Sequence, residues 1–392
     1  MQIAQRIKKI AASQSLVMSA RAKAMQAAGV DVISMSLGEP DMDTPKHVRL
    51  AAQEAVDNHW SHYGPVPGIP ALRQAIANYH NRQSESIVFT AEDVLVSIGA
   101  KMAIFNAIQA VTNPGDEVII PMPAWVSYSE MVKLAEGVVV PVETRFEDRY
   151  CLTPDQLRAA LTPKTRMLIL CSPNNPTGSV YSADEMAALA EVLRDYPEVY
   201  ILSDEIYNEL IYTSVTCTPS PVSFSSFPDL SDRLIIINGV SKAYAMTGYR
   251  VGWLLSKNQD FVKACIRLQG QQLTCATMIA QKAAEAALSG DQDCVAAMRE
   301  VFASRRKLIC ELAADIPGLK FHQPEGAFYL FPDVSAWGMG DEVAERLLDE
   351  AHVAVVSGSA FGCPSCIRLS YAISEDEIRT AMARIKNLLL HY

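Results

Sequence analysis

Leu234-Ile-Ile-Ile-Asn-Gly-Val-Ser-Lys242-Ala-Tyr-Ala-Met-Thr-Gly-Tyr249 is the stretch on which the reading of this chain turns. Its opening run is apolar without alternation, the pattern of a strand buried on both faces. Lys242 then stands as the single charge between Arg233 and Arg250. Open α/β sheets bind ligands at the C-terminal ends of their parallel strands. An ammonium just past such an end is partly desolvated, which lowers its pKa and frees an amine for Schiff-base chemistry. A lysine there can also snorkel to solvent, so its neighbours must decide.

Two neighbouring strand ends carry polar groups of their own. Ser203-Asp204-Glu205-Ile206-Tyr207 places a carboxylate at the end of the preceding apolar run, with Tyr207 one helical step further on the same side. Asp204 could serve only as a helix N-cap. Ser172-Pro-Asn-Asn175-Pro-Thr-Gly178 follows another strand and makes a rigid turn that presents an amide, or simply a tight loop. Three successive strands thus end in polar groups directed at one crevice.

Working outward, apolar runs at 94–98, 117–120, 138–142, 167–171, 199–203, 234–238 and 251–255 alternate with stretches of helical period. This is the signature of a doubly wound α/β sheet, mostly parallel, with helices on both faces. Thr153-Pro-Asp-Gln156, Ser182-Ala-Asp-Glu185 and Ser374-Glu-Asp-Glu377 read as capping boxes. Thr44-Pro45 and Gly68-Ile69-Pro70 start two earlier helices. Beyond about residue 285 the pattern becomes α+β, with a long polar helix over 291–314 and short strands over 319–322 and 327–331. The expected organisation is a large domain over 45–285 and a smaller α+β domain from 1–44 and 286–392. Neither G-x-G-x-x-G, a Walker A loop nor G-x-S-x-G occurs.

The chain has 392 residues, 49% of them apolar and 20% charged, enough for several packed layers. A formal net charge of −10 withholds the basic field that nucleic acid or an anionic membrane requires. Apolar runs such as 138–142 fall far short of the roughly 20 residues that span a bilayer. No secretory pattern is visible in 1–23, so a cytoplasmic location is expected. Nine scattered cysteines read as reduced thiols, and the one Cys-x-x-Cys, Cys363 to Cys366, has no second pair to complete a zinc site. His59 and His62 have no third ligand in view, and no metal is expected.

Six segments in order, Leu37-Gly-Glu-Pro40, Tyr63-Gly-Pro-Val-Pro-Gly68, Asn174-Asn-Pro-Thr-Gly178, Ser203-Asp-Glu-Ile-Tyr207, Ser241-Lys242 with Gly248-Tyr-Arg250-Val-Gly252-Trp253, and Ile367-Arg-Leu-Ser-Tyr371, resemble the class I/II aminotransferases. These are pyridoxal-phosphate enzymes of fold type I, and the chain looks most similar to the bacterial branch of aspartate and prephenate enzymes. The resemblance implies a seven-stranded large domain, pyridoxal 5′-phosphate as cofactor, and a homodimer with shared sites.

On that resemblance Lys242 would bear the cofactor and move the proton, Asp204 would pair with the pyridine nitrogen, and Tyr207 and Asn175 would bond the ring oxygen. Arg250, Ser241 and the helix start Gly99-Ala100-Lys101 would hold the phosphate, Trp125 would stack on the ring, and Tyr63 would reach the partner subunit's phosphate. Arg368, Gly38, Asn175 and Trp125 would bind substrate, with Lys101 reaching a distal carboxylate and Ser15-Leu-Val17-Met18-Ser19 lying over the pocket. Some branches carry a hydroxyl three residues before the lysine, where this chain has Gly239. The implied reaction moves an amino group between aspartate or glutamate and a 2-oxo acid. Aromatic or broad specificity, or a lyase or decarboxylase on the same cofactor, is the alternative.

Overall fold

The computed structural model describes residues 3–11, 14–83, 86–212 and 222–391. Seven strands form one sheet: β1 Val94–Ser97, β2 Glu117–Met122, β3 Val138–Glu143, β4 Thr165–Cys171, β5 Tyr200–Asp204, β6 Leu234–Gly239 and β7 Gly252–Leu255. Their order is β1-β7-β6-β5-β4-β2-β3. Every pairing is parallel except those of β7, which runs antiparallel to β1 and β6. All seven strands expected from the sequence are present, and the fold is the doubly wound, mostly parallel α/β class.

Alternation along β6 shows why its apolar run is continuous. Leu234 and Ile236 join a core that includes helices Lys46–Asp57, Pro70–Gln83, Ala183–Arg194 and Met278–Ser289. Ile235 and Ile237 join the opposite core, with helices Ala100–Val111, Ser127–Leu134 and Gln259–Gln272. A strand covered on both faces has no polar side to offer. Each such side chain contributes roughly 1.5–3 kcal/mol by leaving water.

A third core gathers Ile33 and Met35 with residues of the C-terminal third. It is built on the antiparallel strands Val356–Ser357, Ile367–Ser370 and Tyr329–Leu330 and on helices Asp293–Ala314, Gly340–Asp349 and Glu375–Leu390. Ile33–Ser34 pairs in parallel with Val353–Ala354, which ties this part of the N-terminal segment to the C-terminal third. Ile206, Tyr207 and Leu210, which follow β5, belong to this core as well.

The three capping boxes form as read. Thr44 does not cap its helix: the hydroxyl donates to the Ala245 carbonyl at 2.7 Å, and Pro45 occupies the cap position. The strand expected over 319–322 is reduced to a single bridge between Lys320 and Asp333. The strand expected over 327–331 is only Tyr329–Leu330, because Ala327 adopts a left-handed φ of 56° and Pro332 has no N–H to continue the ladder. No helix among the described residues is long and apolar enough to cross a membrane.

Candidate active site

The register of the central strands lines up the polar ends anticipated above. Cys171 lies opposite Asp204, and Asp204 opposite Ile237, so β4, β5 and β6 end side by side. They open into a cavity of about 450 Å³ bordered by Lys242, Asp204, Tyr207, Asn175, Arg250 and Arg368. Ser241, Gly38, Ala100, Lys101 and Trp125 also line it.

Asp204 is buried, and its next residues form a turn, so it caps no helix. Its Oδ1 accepts from the Ile206 N–H at 3.2 Å and its Oδ2 from the Tyr128 hydroxyl at 2.6 Å. Burial pushes the carboxyl up to about 6, opposed by both hydrogen bonds and the Lys242 charge. Near neutrality the group is thus a buried anion held by few partners.

Lys242 sits on the single helical turn Val240–Ala243 just beyond β6. Its Nζ donates to the Gly38 carbonyl. Burial lowers the ammonium to about 8; Glu39 and Asp204 oppose the shift, while Arg368 and Arg250 add to it. The free amine is therefore accessible near neutral pH.

An uncapped helix start adjoins this amine. Helix Ala100–Val111 begins at Gly99 with no side-chain cap, leaving first-turn N–H groups open to a ligand. Gly99 has φ +89°, and a Cβ there would lie 2.5 Å from the Arg250 guanidinium. Glycine thus lets Arg250 lie against the helix start. Arg250 itself takes a left-handed φ of 57°, and its Nη1 donates to the Thr247 carbonyl at 2.9 Å. Gly239 has a separate reason to lack a hydroxyl: a Cβ would stand 3.0 Å from the Gly252 Cα on the neighbouring strand.

A second cation faces the cavity from the third core. The guanidinium of Arg368 is buried and stacks 4.5 Å from the Tyr329 ring centroid and 5.0 Å from that of Phe361. Nη1 donates to Asn175 Oδ1 at 2.9 Å and Nη2 to the Ser36 carbonyl at 2.7 Å, while Nε is buried without a partner among the described residues. A buried, incompletely bonded guanidinium is costly unless an anion joins it, and a carboxylate matches its fork. Lys101 Nζ lies 4.8 Å from the Trp125 centroid; burial, then Arg250, lowers its pKa.

Several lining residues carry no local signal. Tyr128 and Tyr329 come from separate elements, and Tyr329 meets the Tyr207 hydroxyl at 2.8 Å. A Cβ on Gly38 would fall 2.6 Å from the Tyr329 hydroxyl, so Gly38 permits that approach. The position of Tyr128 one turn after Trp125 was the available hint. Tyr63 does not border the cavity of its own chain and is 89% exposed. The expectation that Val17 and Met18 lie over the pocket is corrected: Val17 is exposed and Met18 packs against the cluster of Ala22, Val32, Leu348 and Ala354, because that helix lies against the small strands of the C-terminal third. The side chains of Ser15 and Leu16 lie outside the described residues.

A doubly wound sheet that gathers a desolvated amine, an uncapped helix start beside Arg250 and a buried arginine around one cavity defines the site of an α/β protein. Comparison with known proteins narrows this. The family model for aminotransferase class I and II matches residues 30–385. The aspartate/prephenate aminotransferase of Nitrosomonas europaea is 40% identical over 99% of this chain and 100% of its own length. The aspartate aminotransferase of Geobacillus stearothermophilus is 42% identical over 99% of each. The crystal structure of the Rhizobium meliloti aspartate aminotransferase superposes with a TM-score of 0.94 at 38% identity, covering 99% of both chains. This chain belongs to the class I and II aminotransferases.

Proposed function

We propose that this aminotransferase uses pyridoxal 5′-phosphate to move an amino group between aspartate or glutamate and a 2-oxo acid, working as a homodimer with shared sites. The observation that carries this reading is the placing of Lys242 between two cationic receptors, Arg250 at the Ala100 helix start and Arg368 beside Asn175. The residues present fit the cofactor: an uncapped helix start and Arg250 suit a phosphate, and buried Asp204 suits a protonated pyridine nitrogen. When bound, the cofactor supplies an aldehyde carbon that carries the amino group and a ring that withdraws electrons from the substrate Cα.

In this assignment Asp204 keeps the ring nitrogen protonated, and Tyr207 and Asn175 donate to the ring oxygen. Trp125 covers the ring face. Ser241, Arg250 and the backbone N–H groups of Ala100 and Lys101, admitted by Gly99, hold the phosphate. Lys242 Nζ takes the proton from the substrate Cα and returns it on the other side of the exchange. Arg368 grips the α-carboxylate, with Gly38 closing over it. The larger domain, 45–285, supplies the cofactor site, and the smaller, 1–44 and 286–392, supplies Arg368.

Lys101 selects substrates with a second carboxylate. Support comes from the Nζ position at the cavity wall and from relatives: one solved Thermus thermophilus aspartate aminotransferase, TM-score 0.93 and 38% identical, is described with maleate, a dicarboxylate. The test follows the absorbance of the bound cofactor. Aspartate should convert it to the amine form, and 2-oxoglutarate should restore it. In Lys101→Ser, kcat/KM for aspartate should fall roughly 30- to 150-fold, the worth of a desolvated charge contact of about 2–3 kcal/mol, with little change for alanine or phenylalanine. Equal losses for all three would assign Lys101 to the cofactor instead.

A further inference from the structure

The Cys-x-x-Cys of this chain lies apart from the reaction described above, yet its geometry is that of a working thiol pair. Cys363 Sγ and Cys366 Sγ stand 3.4 Å apart. The turn is closed by the Cys366 N–H donating to the Cys363 carbonyl at 3.1 Å. Its outside is tied down as well: the Gly358 N–H donates to the Cys366 carbonyl at 2.7 Å, the Val334 N–H to the Ser365 carbonyl at 2.8 Å, and the Gly340 N–H to the Pro364 carbonyl at 2.8 Å. A backbone held at so many points brings the sulfurs together before any bond forms. The entropy of ring closure is then largely spent by folding.

The two thiols differ as an attacking and a resolving pair should. Cys366 is fully buried, with the Tyr150 hydroxyl 3.5 Å from its sulfur. Cys363 is only partly buried and sits between exposed Gly362 and Pro364. The hydrogen bond shared by the two sulfurs lowers the Cys363 pKa and raises that of Cys366. A thiolate at the reachable position, beside a resolving sulfur, is the arrangement that undergoes disulfide exchange.

We infer that Cys363 and Cys366 form a reversible disulfide by exchange with a small oxidised thiol of the glutathione class. The Cys363 thiolate attacks the external disulfide, one sulfur–sulfur bond breaks as another forms, and one small thiolate leaves. Cys366, giving up its proton to solvent or to that thiolate, then attacks Cys363 Sγ and displaces the second thiol. Two protein thiols are oxidised and one external disulfide is reduced to two thiols. The bond would lie two residues before Arg368, on the turn that follows the short helix Gly358–Phe361.

The holoenzyme is incubated in buffers of increasing oxidised-to-reduced glutathione ratio, quenched in acid, unfolded, alkylated and mapped by mass spectrometry. The peptide holding Cys363 and Cys366 should lose both alkylation sites and the mass of two hydrogens, and dithiothreitol should restore it. In Cys366→Ala, which retains a buried apolar side chain, glutathione should accumulate on Cys363. A wild-type pair that stays alkylatable in oxidised glutathione, or that retains a lasting glutathione adduct, would overturn the inference. Absence of the adduct in Cys366→Ala would overturn the assignment of Cys363 as the attacking thiol.

Discussion

The Tyr128 hydroxyl donates to Asp204 Oδ2 at 2.6 Å across 76 residues of sequence, and this bond is one of the forces that keep a buried carboxyl ionised. Removing it in Tyr128→Phe leaves desolvation less opposed, so the Asp204 pKa rises further. A hydrogen bond to a charged group contributes about 1.5 kcal/mol, so kcat should fall roughly 10-fold with KM little altered. Asp204→Ala should lose about 10³-fold or more. Steady-state kinetics with the folded variants decide; unchanged kcat in Tyr128→Phe would reduce the tyrosine to packing.

Lys242→Ala should abolish turnover while the protein still binds the cofactor non-covalently through the Arg250 site. In wild type, borohydride reduction should fix the cofactor to Lys242. The depressed pKa also sets a pH signature, because the reactive species is the neutral amine. The rate at which apo-protein captures the cofactor should climb with pH and level off above about 8. An ordinary lysine would keep gaining towards pH ~10.4. Continued rise past pH 9 would show that burial does not tune this amine.

Arg368→Lys tests the fork against the charge. Lysine keeps a cation but has no planar fork, and its three donors cannot serve Asn175, the Ser36 carbonyl and both oxygens of a carboxylate together. The kcat/KM should drop roughly 100-fold for aspartate and alanine alike, since both carry the α-carboxylate. A loss confined to aspartate would exchange the roles assigned to Arg368 and Lys101.

Glu205 is buried beside the site and accepts from the hydroxyls of Ser203 at 2.9 Å and Ser223 at 2.5 Å. Burial raises its pKa from 4.5 to about 7, against both hydrogen bonds. A raised carboxyl stabilises the fold fully below its unfolded pKa, and that contribution is lost as pH rises through the folded value. Glu205→Gln keeps an acceptor oxygen and removes the ionisation. Its stability should therefore match wild type near pH 4.5 and exceed it by about 1–3 kcal/mol at pH 8. Denaturant midpoints across that range give the comparison, and parallel curves would refute the assignment.

Tyr63 is 89% exposed at the end of a turn that also exposes Trp60, and in the proposed dimer it would serve the second copy of the chain. Lys242→Ala and Tyr63→Ala chains should each be impaired alone. Mixed dimers should regain part of the activity through one intact site. Failure to recover, once subunit exchange is demonstrated by mass, would show that each chain completes its own site.

Much of this protein was legible locally. The seven strands, the three capping boxes and the exceptional character of Lys242 follow from patterns that repeat over a few residues, which is the range of backbone hydrogen bonding and of hydrophobic period. The family motifs then named Asp204, Asn175, Arg250 and Arg368 as a set. Other features had no local trace. Thr44 reads as a cap but bonds Ala245, Ala327 breaks a strand by turning left-handed, and Tyr128 and Tyr329 look like ordinary core aromatics. The Arg368 bond to the Ser36 carbonyl joins groups 332 residues apart. Composition and periodicity record which face of an element is apolar. Only the packing of three cores against one another determines which buried hydroxyl or carbonyl meets which charge, and so which carboxyl stays ionised and which amine stays free.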